Sequence, residues 1–160
     1  MKDINKKPHK KNILGKNTFF YLLLGIFFIF LDQILKNYFT NHSYYFSFFS
    51  LHLVKNTGMS FGWFQGATIF MIIISFIFLV LLWFFRSEFI ESKLGLVFLI
   101  AGTIGNLIDR VFRGYVIDFV DLQWFPVFNL SDTLITFGTI CFIWIFIKDL
   151  KNERHKKKSK

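Results

Sequence analysis

The stretch AGTIGNLIDRVFRGYVIDFVDLQWFPVFNLSD, residues 101–132, places six charged side chains among some of the most apolar residues of the chain. They are Asp109, Arg110, Arg113, Asp118, Asp121 and Asp132. An ionised group in or beside hydrocarbon is costly, so it usually faces a protein interior or a wet cavity, where it is paired or functional. This stretch is therefore the first candidate for a functional site, and the rest of the chain is the frame that holds it.

The surrounding sequence has the composition of a membrane protein. Of its 160 residues, 54% are hydrophobic and 21% are aromatic, with 25 Phe and a mean hydropathy of +0.48. Apolar segments at about 18–39, 67–85, 94–112 and 130–147 predict four transmembrane helices. We therefore expect a single integral membrane domain, residues 1–160, of the all-α membrane class.

Residues 41–66, between the first two predicted spans, differ in kind. Phe46, Phe48 and Leu51 belong to an imperfect alternation of apolar and polar residues, and Gly58 supplies turn chemistry after it. Alternation with period two, rich in aromatic residues, is typical of strands. We expect a small strand-rich platform outside the membrane at this position.

The net charge of +9 is concentrated at the two ends of the chain. Residues 1–18 hold six Lys and one Asp, and residues 148–160 hold seven Lys or Arg and two acidic residues. Positive charge beside apolar spans is retained on the cytoplasmic side, so both tails are predicted to be cytoplasmic and the acidic stretch to lie near the outer face. No groove-reading motif accompanies the basic tails, which argues against nucleic-acid binding.

Metal and disulfide chemistry find no support in the sequence. Cys141 is the only cysteine, so no internal disulfide is possible. His9, His42, His52 and His155 form no pair at ligand spacing. We expect neither a metal site nor a cofactor.

Two polar groups are predicted to have structural roles. Asp32 and Lys36 are four residues apart, so on a helix they share a face and can form an ion pair. Asn106 and the pair Asp109–Arg110 lie at the end of the third span, where an Arg fork commonly orients a carboxylate. Both groups are interpreted as scaffold rather than as catalysts.

Asp118 and Asp132 form the sharper pair. Asp132 opens the fourth span after FNLS, where a helix N-terminus favours a carboxylate. The simpler alternative is a helix cap, formed by Asp132 itself, by Ser131 or by Asn129. Two carboxyl groups brought together can share one proton, so that one acts as base on a water and the other as acid. That is the chemistry of aspartyl hydrolysis.

Two alternatives use other groups. A Ser-Lys dyad would pair Ser60 with Lys55 or Lys36, or Ser131 with a base, but the spacing gives no support for one. A small transporter or channel component would relay ions through its intramembrane Asp and Lys residues. The second span carries no charge and the others carry theirs at one end, which favours an edge site over an ion pathway.

Five fragments in succession carry a family resemblance: LDQILK at 31–36, KNTGMSFG at 55–62, AGTIGNLIDR at 101–110, VIDFV at 116–120 and FNLSD at 128–132. In motif order and spacing they closely resemble the lipoprotein signal peptidase (signal peptidase II) family. The resemblance covers about residues 18–147. Each fragment is weak alone, but five in order on a chain of this length form a specific signature.

The resemblance implies an aspartic endopeptidase of the bacterial inner membrane, which removes the signal peptide of diacylglyceryl-modified prolipoproteins before the lipidated Cys. It implies that Asp118 and Asp132 are the catalytic dyad. The positions that would support the active site and bind substrate are Asp32, Lys36, Asn56, Gly58, Asn106, Arg110 and Asn129. Expected partners are prolipoprotein substrates, membrane lipid and a globomycin-type inhibitor, and the chain is expected to be a monomer.

Departures from the family pattern concern pocket shape more than chemistry. The family often has Gly-Gly where this chain has Ala101-Gly102, and Ala where it has Ser131. Met59 also departs from the usual small residue and is expected to alter the substrate groove.

Overall fold

The computed structural model describes residues 17–58, 66–87 and 92–158. Most of the basic N-terminal tail, together with Met59 and Ser60, lies outside these residues. Within these ranges the chain forms four helices and three strands, and each predicted span overlaps one helix: α1 Thr18–Asn41, β1 Tyr44–Tyr45, β2 Ser50–Asn56, α2 Thr68–Phe84, α3 Lys93–Arg113, β3 Val116–Asp121 and α4 Leu130–Lys158.

Three helices of the described chain, rather than the predicted four, are long and apolar enough to cross a membrane. They are α1 with 24 residues, α3 with 21, and the 23 residues Leu130–Asn152 of α4. Helix α2 is apolar but has only 17 residues. At about 1.5 Å per residue it is shorter than a hydrocarbon core of about 30 Å. Helix α4 continues past the predicted end at 147 because the Lys, Arg and Glu that follow are good helix formers.

The helices carry apolar side chains outward and polar ones inward. Phe19 and Phe30 of α1 are 70% and 65% exposed, whereas Asp32 and Lys36 of the same helix are completely buried. This distribution is opposite to that of a soluble protein and suits a chain whose outer surface meets lipid. The ionised groups are therefore gathered between helices.

Helix α3 is the central element and packs against α1, α2 and α4. Its contact with α4 depends on small residues that let the two backbones approach. A Cβ added at Gly95 would lie 2.7 Å from Cys141 Cβ, and one added at Gly138 would lie 2.8 Å from the Gly95 carbonyl oxygen. One added at Gly105 would clash with Ser131 Oγ.

The end of α3 turns the chain back toward the polar cluster. Gly114 caps the helix in the left-handed conformation, with φ of 79°, and its N–H bonds to the Arg110 carbonyl oxygen at 3.2 Å. Only glycine adopts this conformation without steric cost. Strand β3 therefore starts two residues later and passes over the end of its own helix.

The three strands form one antiparallel sheet in the order β1-β2-β3. The prediction of a platform confined to residues 41–66 is wrong in one respect, because its third strand comes from beyond α3. Strand β3 pairs with β2 over Ser50↔Asp121 and Asn56↔Val116, with a register irregularity between Leu51 and Val54. Residues 116–119 are all buried, and all of them except Asp118 are apolar. Apolar and polar residues therefore do not alternate here, and the sequence pattern did not predict a strand.

Ser131, in the first turn of α4, is buried against α3 with 0% exposure. None of the described residues offers its Oγ a hydrogen-bond partner. A buried hydroxyl without a partner loses its hydration without compensation. The hydroxyl that distinguishes Ser131 from the Ala of the family pattern is therefore unfavourable for stability.

We predict that Gly105→Ala lowers the free energy of unfolding by about 1–3 kcal/mol, because the new methyl group overpacks the α3–α4 contact. The added Cβ would also lie 2.7 Å from Asp32 Oδ2. The control is Gly25→Ala, whose Cβ would meet only Val97 Cγ1 at 3.6 Å. Unfolding in detergent measures both, and equal stability of the two variants would contradict the packing argument.

We predict that Ser131→Ala raises the free energy of unfolding by about 1 kcal/mol, because it removes an unpartnered buried hydroxyl. The matched control is Thr103→Val. Thr103 is also buried, but its Oγ1 donates to the Leu99 carbonyl oxygen at 2.7 Å, so its loss is expected to destabilise. A loss of stability in Ser131→Ala would show that its hydroxyl has a partner.

Candidate active site

Asp118 lies in the middle of the buried half of β3 and is 2% exposed. Its two carboxylate oxygens accept hydrogen bonds from two asparagine amides. Asn129 Nδ2 donates to Oδ1 at 2.6 Å, and Asn56 Nδ2 donates to Oδ2 at 2.9 Å. Strand pairing places Asn56 near Asp118, because β2 runs beside β3 at this point.

Asp132 lies in the first turn of α4 and makes a reciprocal capping arrangement with Asn129. Asn129 Oδ1 accepts from the Asp132 N–H at 2.9 Å, and Asp132 Oδ2 accepts from the Asn129 N–H at 3.1 Å. Of the three residues considered as a helix cap, Asn129 is the one whose side chain caps α4, with Asp132 beside it. Asp132 keeps its other oxygen for the site, where Oδ1 accepts from Asn106 Nδ2 at 2.8 Å.

Asn129 brings the two acidic residues together. It is completely buried, and it bonds to Asp118 through its side chain and to Asp132 through its backbone. Its Nδ2 also donates to Asn106 Oδ1 at 3.1 Å. Both carboxyl groups are therefore within reach of one residue, although they are 14 positions apart in the sequence.

A buried ammonium group lies behind the asparagines. Lys36 Nζ contacts Asp32 Oδ2 at 2.8 Å, Asp109 Oδ2 at 3.0 Å and Asn106 Oδ1 at 3.0 Å. The Lys36, Asp32 and Asp109 side chains are completely buried. The predicted ion pair of Asp32 and Lys36 is confirmed, and Asp109 joins it as a second carboxylate.

Gln33 and Arg113, which the sequence did not single out for this site, complete the charged cluster. Gln33 Nε2 lies 3.2 Å from Asp32 Oδ2 and 3.3 Å from Asp109 Oδ1. Arg113 forms an ion pair with Asp109 and donates to Gln33 Oε1 at 3.0 Å. The four-residue spacing of Asp109 and Arg113 was a usable signal for their pairing.

Arg110 has contacts that differ from the prediction. It donates to the carbonyl oxygens of Asn106 at 3.5 Å and Gly58 at 3.3 Å, and no described carboxylate forms an ion pair with it. The expected Arg fork on a carboxylate is therefore wrong, because the pairing at this helix end belongs to Arg113. Gly58 in turn donates its N–H to Asn56 Oδ1 at 2.9 Å, which orients the Asn56 amide toward Asp118.

A cleft of about 390 Å³ opens at these residues. Asp118, Asp132 and Arg110 line it together with apolar side chains of α2, among them Ile74 and Phe78. The sequence could not identify the α2 residues, because an apolar side chain that lines a cleft looks like one that faces lipid. The cleft is thus polar on one side and apolar on the other.

Burial, and after it the neighbouring Asp132, raises the pKa of Asp118 from its ordinary value to about 7. The amides of Asn56 and Asn129 oppose this shift, because they stabilise the ionised form. The pair can therefore hold a proton near neutral pH, which an isolated aspartate would not do.

The described residues show no Ser-Lys pair. Lys36 is bonded to Asp32, Asp109 and Asn106, and Lys55 lies over the ring of Tyr115 at 5.0 Å from its centroid. Ser131 Oγ has no partner there, and Ser60 lies outside the described residues. Within this part of the chain the paired carboxyl groups remain the candidates for chemistry.

Comparison with known proteins also indicates a peptidase. The sequence profile of the family described as signal peptidase (SPase) II matches residues 24–148. The lipoprotein signal peptidase of Bartonella quintana (strain Toulouse) is 36% identical, over 91% of this chain and 98% of its own. That of Clostridium novyi (strain NT) is 31% identical, over 81% and 99%.

A solved structure is also similar. A bacterial membrane enzyme, determined by the in meso method at 2.3 Å resolution, superposes with a TM-score of 0.76 at 30% identity. The superposition covers 84% of this chain and 92% of that chain. The profile spans most of the sequence and the relatives align over nearly their whole lengths, so this chain belongs to the signal peptidase II family, the lipoprotein signal peptidases.

Proposed function

We propose that this peptidase is an aspartic endopeptidase whose catalytic dyad is Asp118 and Asp132. The observation that carries the proposal is that one buried residue, Asn129, bonds to both carboxyl groups at the wall of a cleft. Neighbouring carboxyl groups that share one proton supply both an acid and a base. The scissile bond would lie in the cleft beside them.

In the proposed reaction the ionised carboxylate removes a proton from water as the water attacks the scissile carbonyl carbon. The protonated partner donates to the carbonyl oxygen, which gives a tetrahedral diol. The C–N bond then breaks as the first carboxyl group passes its proton to the nitrogen and the second takes a proton back from a diol hydroxyl, so the pair returns to its starting state. The amides of Asn56, Asn106 and Asn129 hold the two carboxyl groups in fixed orientations. Such fixed donors need no reorganisation during the reaction.

The proposed substrate is a diacylglyceryl-modified prolipoprotein that is cut before its lipidated Cys. The cleft has an apolar wall of Met71, Ile74 and Phe78 from α2, which suits an apolar signal peptide beside the carboxyl groups. The outward apolar surface lets the acyl chains of a substrate stay in lipid while the scissile bond reaches the polar end of α3 and the start of α4. A globomycin-type inhibitor would compete for this cleft.

The proposed membrane arrangement has four spans, with the short α2 crossing a thinner part of the bilayer. Both basic tails are on the cytoplasmic side of a bacterial inner membrane, and the dyad is near the outer face. The protein is proposed to act as a monomer, because one chain supplies every residue that the proposed reaction needs.

An ion relay is less well supported. Helix α2 carries no charged residue between Thr68 and Phe84, and the buried charges of the other helices lie around one site. A relay needs polar groups at several depths. Membership of a peptidase family also favours hydrolysis.

We predict that Asp118→Asn and Asp132→Asn each reduce the cleavage rate by a factor of about 10²–10⁴, because each removes one partner of the acid–base pair. The control is Asp121→Asn, on the same strand as Asp118. Release of the signal peptide from a lipidated prolipoprotein measures the rate, with folding checked by unfolding in detergent. Wild-type rates in either dyad variant would refute the assignment.

We predict that cleavage falls about tenfold per pH unit above about pH 7, because the dyad then loses its shared proton. The Asn56 amide lowers the pKa of Asp118, so Asn56→Ala should move this alkaline limb to higher pH. The control is Asn37→Ala, an exposed asparagine of α1. A limb that Asn56→Ala moves to lower pH would contradict the stated cause.

A further inference from the structure

The buried carboxylates of Asp32 and Asp109 have equivalent contacts on either side of Lys36. Asp32 Oδ1 accepts from the Ser131 N–H at 2.9 Å, and Asp109 Oδ2 accepts from the Ile117 N–H at 3.1 Å. Each of these N–H groups belongs to the residue directly before one of the proposed catalytic aspartates. The two acceptors thus hold the two backbone segments that carry the dyad.

Lys36 joins these two anchors. Its Nζ lies 2.8 Å from Asp32 Oδ2 and 3.0 Å from Asp109 Oδ2. Gln33 Nε2 makes a second, uncharged connection between the same carboxylates, at 3.2 and 3.3 Å. A chain of contacts therefore runs from the α4 backbone through Asp32, Lys36 and Asp109 to the β3 backbone.

We propose that Asp32, Lys36 and Asp109 form a clamp that fixes the distance between the carboxyl groups of Asp118 and Asp132. The inference rests on the proposed function. The three residues are positioning residues, since toward the dyad they bond to the Ser131 and Ile117 backbone N–H groups and to Asn106 rather than to the dyad carboxyl groups. The clamp acts on the backbone, whereas the asparagine amides orient the side chains.

The distance matters because two acidic groups that share a proton titrate as a pair. The closer they are, the further apart are the pH values at which the pair gains its second proton and loses its last one. The clamp therefore sets the width of the pH–activity curve. If the distance between the two carboxyl groups increases by about 2 Å, the pH–activity curve should become narrower by about one pH unit, at an effective dielectric constant of about 20.

The test is the pH dependence of cleavage for Asp109→Asn, measured on the full chain with a lipidated prolipoprotein. The substitution removes the charge that pairs with Lys36. In one orientation the new NH2 group faces Lys36 and the Ile117 N–H, and in the other it faces the donors of Arg113 and Gln33, so the Asp109 anchor is weakened either way. The expected curve is narrower, and its centre moves to lower pH because a negative charge has gone. We expect kcat to fall more than KM changes.

Gln33→Met keeps the test decisive if Asp109→Asn does not fold, since Gln33 is half-buried and uncharged. Gln33→Met removes the second connection between Asp32 and Asp109 without a change of charge. The pH–activity curve should therefore become narrower while its centre stays at the same pH. Lys55→Gln is the control for charge alone. Lys55 is exposed and lies over the Tyr115 ring, away from Asp32, Lys36, Asp109 and Gln33, so its loss should move both limbs slightly to higher pH with the width unchanged.

The outcomes separate the clamp from the proposed function. A wild-type curve without two limbs, or an active Asp118→Asn enzyme, would refute the shared-proton dyad itself. A two-limbed wild-type curve with the same width in Asp109→Asn and Gln33→Met would overturn the clamp and leave the dyad intact. A lower rate at every pH, with the width and centre of the pH–activity curve unchanged, would likewise show that these residues act on stability only.

Discussion

The polar interior of this protein depends on one buried ammonium group. Lys36 Nζ has three donors and meets three acceptors, on Asp32, Asp109 and Asn106. A charge removed from water is tolerated only when its geometry and hydrogen bonds are nearly complete, so the helices and the sheet that carry these acceptors have little freedom to move apart. With Arg113 on Asp109, the two carboxylates and two cations are balanced in charge.

The side chains that donate hydrogen bonds to the carboxyl groups of the proposed dyad are amides rather than cations, although the Arg110 guanidinium lines the same cleft. Asn56, Asn106 and Asn129 give N–H donors to the carboxyl groups without adding charge to a buried site. Cationic donors would hold both carboxyl groups ionised, which would remove the acid of the pair. The ammonium group of Lys36 lies one residue further away, behind Asn106. It therefore keeps its structural effect while Asp118 can still hold a proton near neutral pH.

Much of the site was predictable because its elements are local in the sequence. The spacing of Asp32 and Lys36 on one helix, and the FNLSD start of α4, each indicate a contact within a single turn. The partners of Arg110 were predicted wrongly, although residues 109 and 110 do not face each other on a helix and the four-residue spacing already favoured Arg113 as the partner of Asp109. Gln33 was missed because a single glutamine on a membrane helix gives no pattern.

The sequence alone determined the membrane class and the family, and it predicted the acidic stretch as the functional region, since these follow from composition and from motifs in order. Only the tertiary structure decided that β3 completes the sheet, that α2 lines the cleft, and that Asp109 and Asp32 reach the backbone beside Asp118 and Asp132. Those facts depend on contacts between residues as far as 99 positions apart, and such contacts are fixed by how the helices pack rather than by any local pattern.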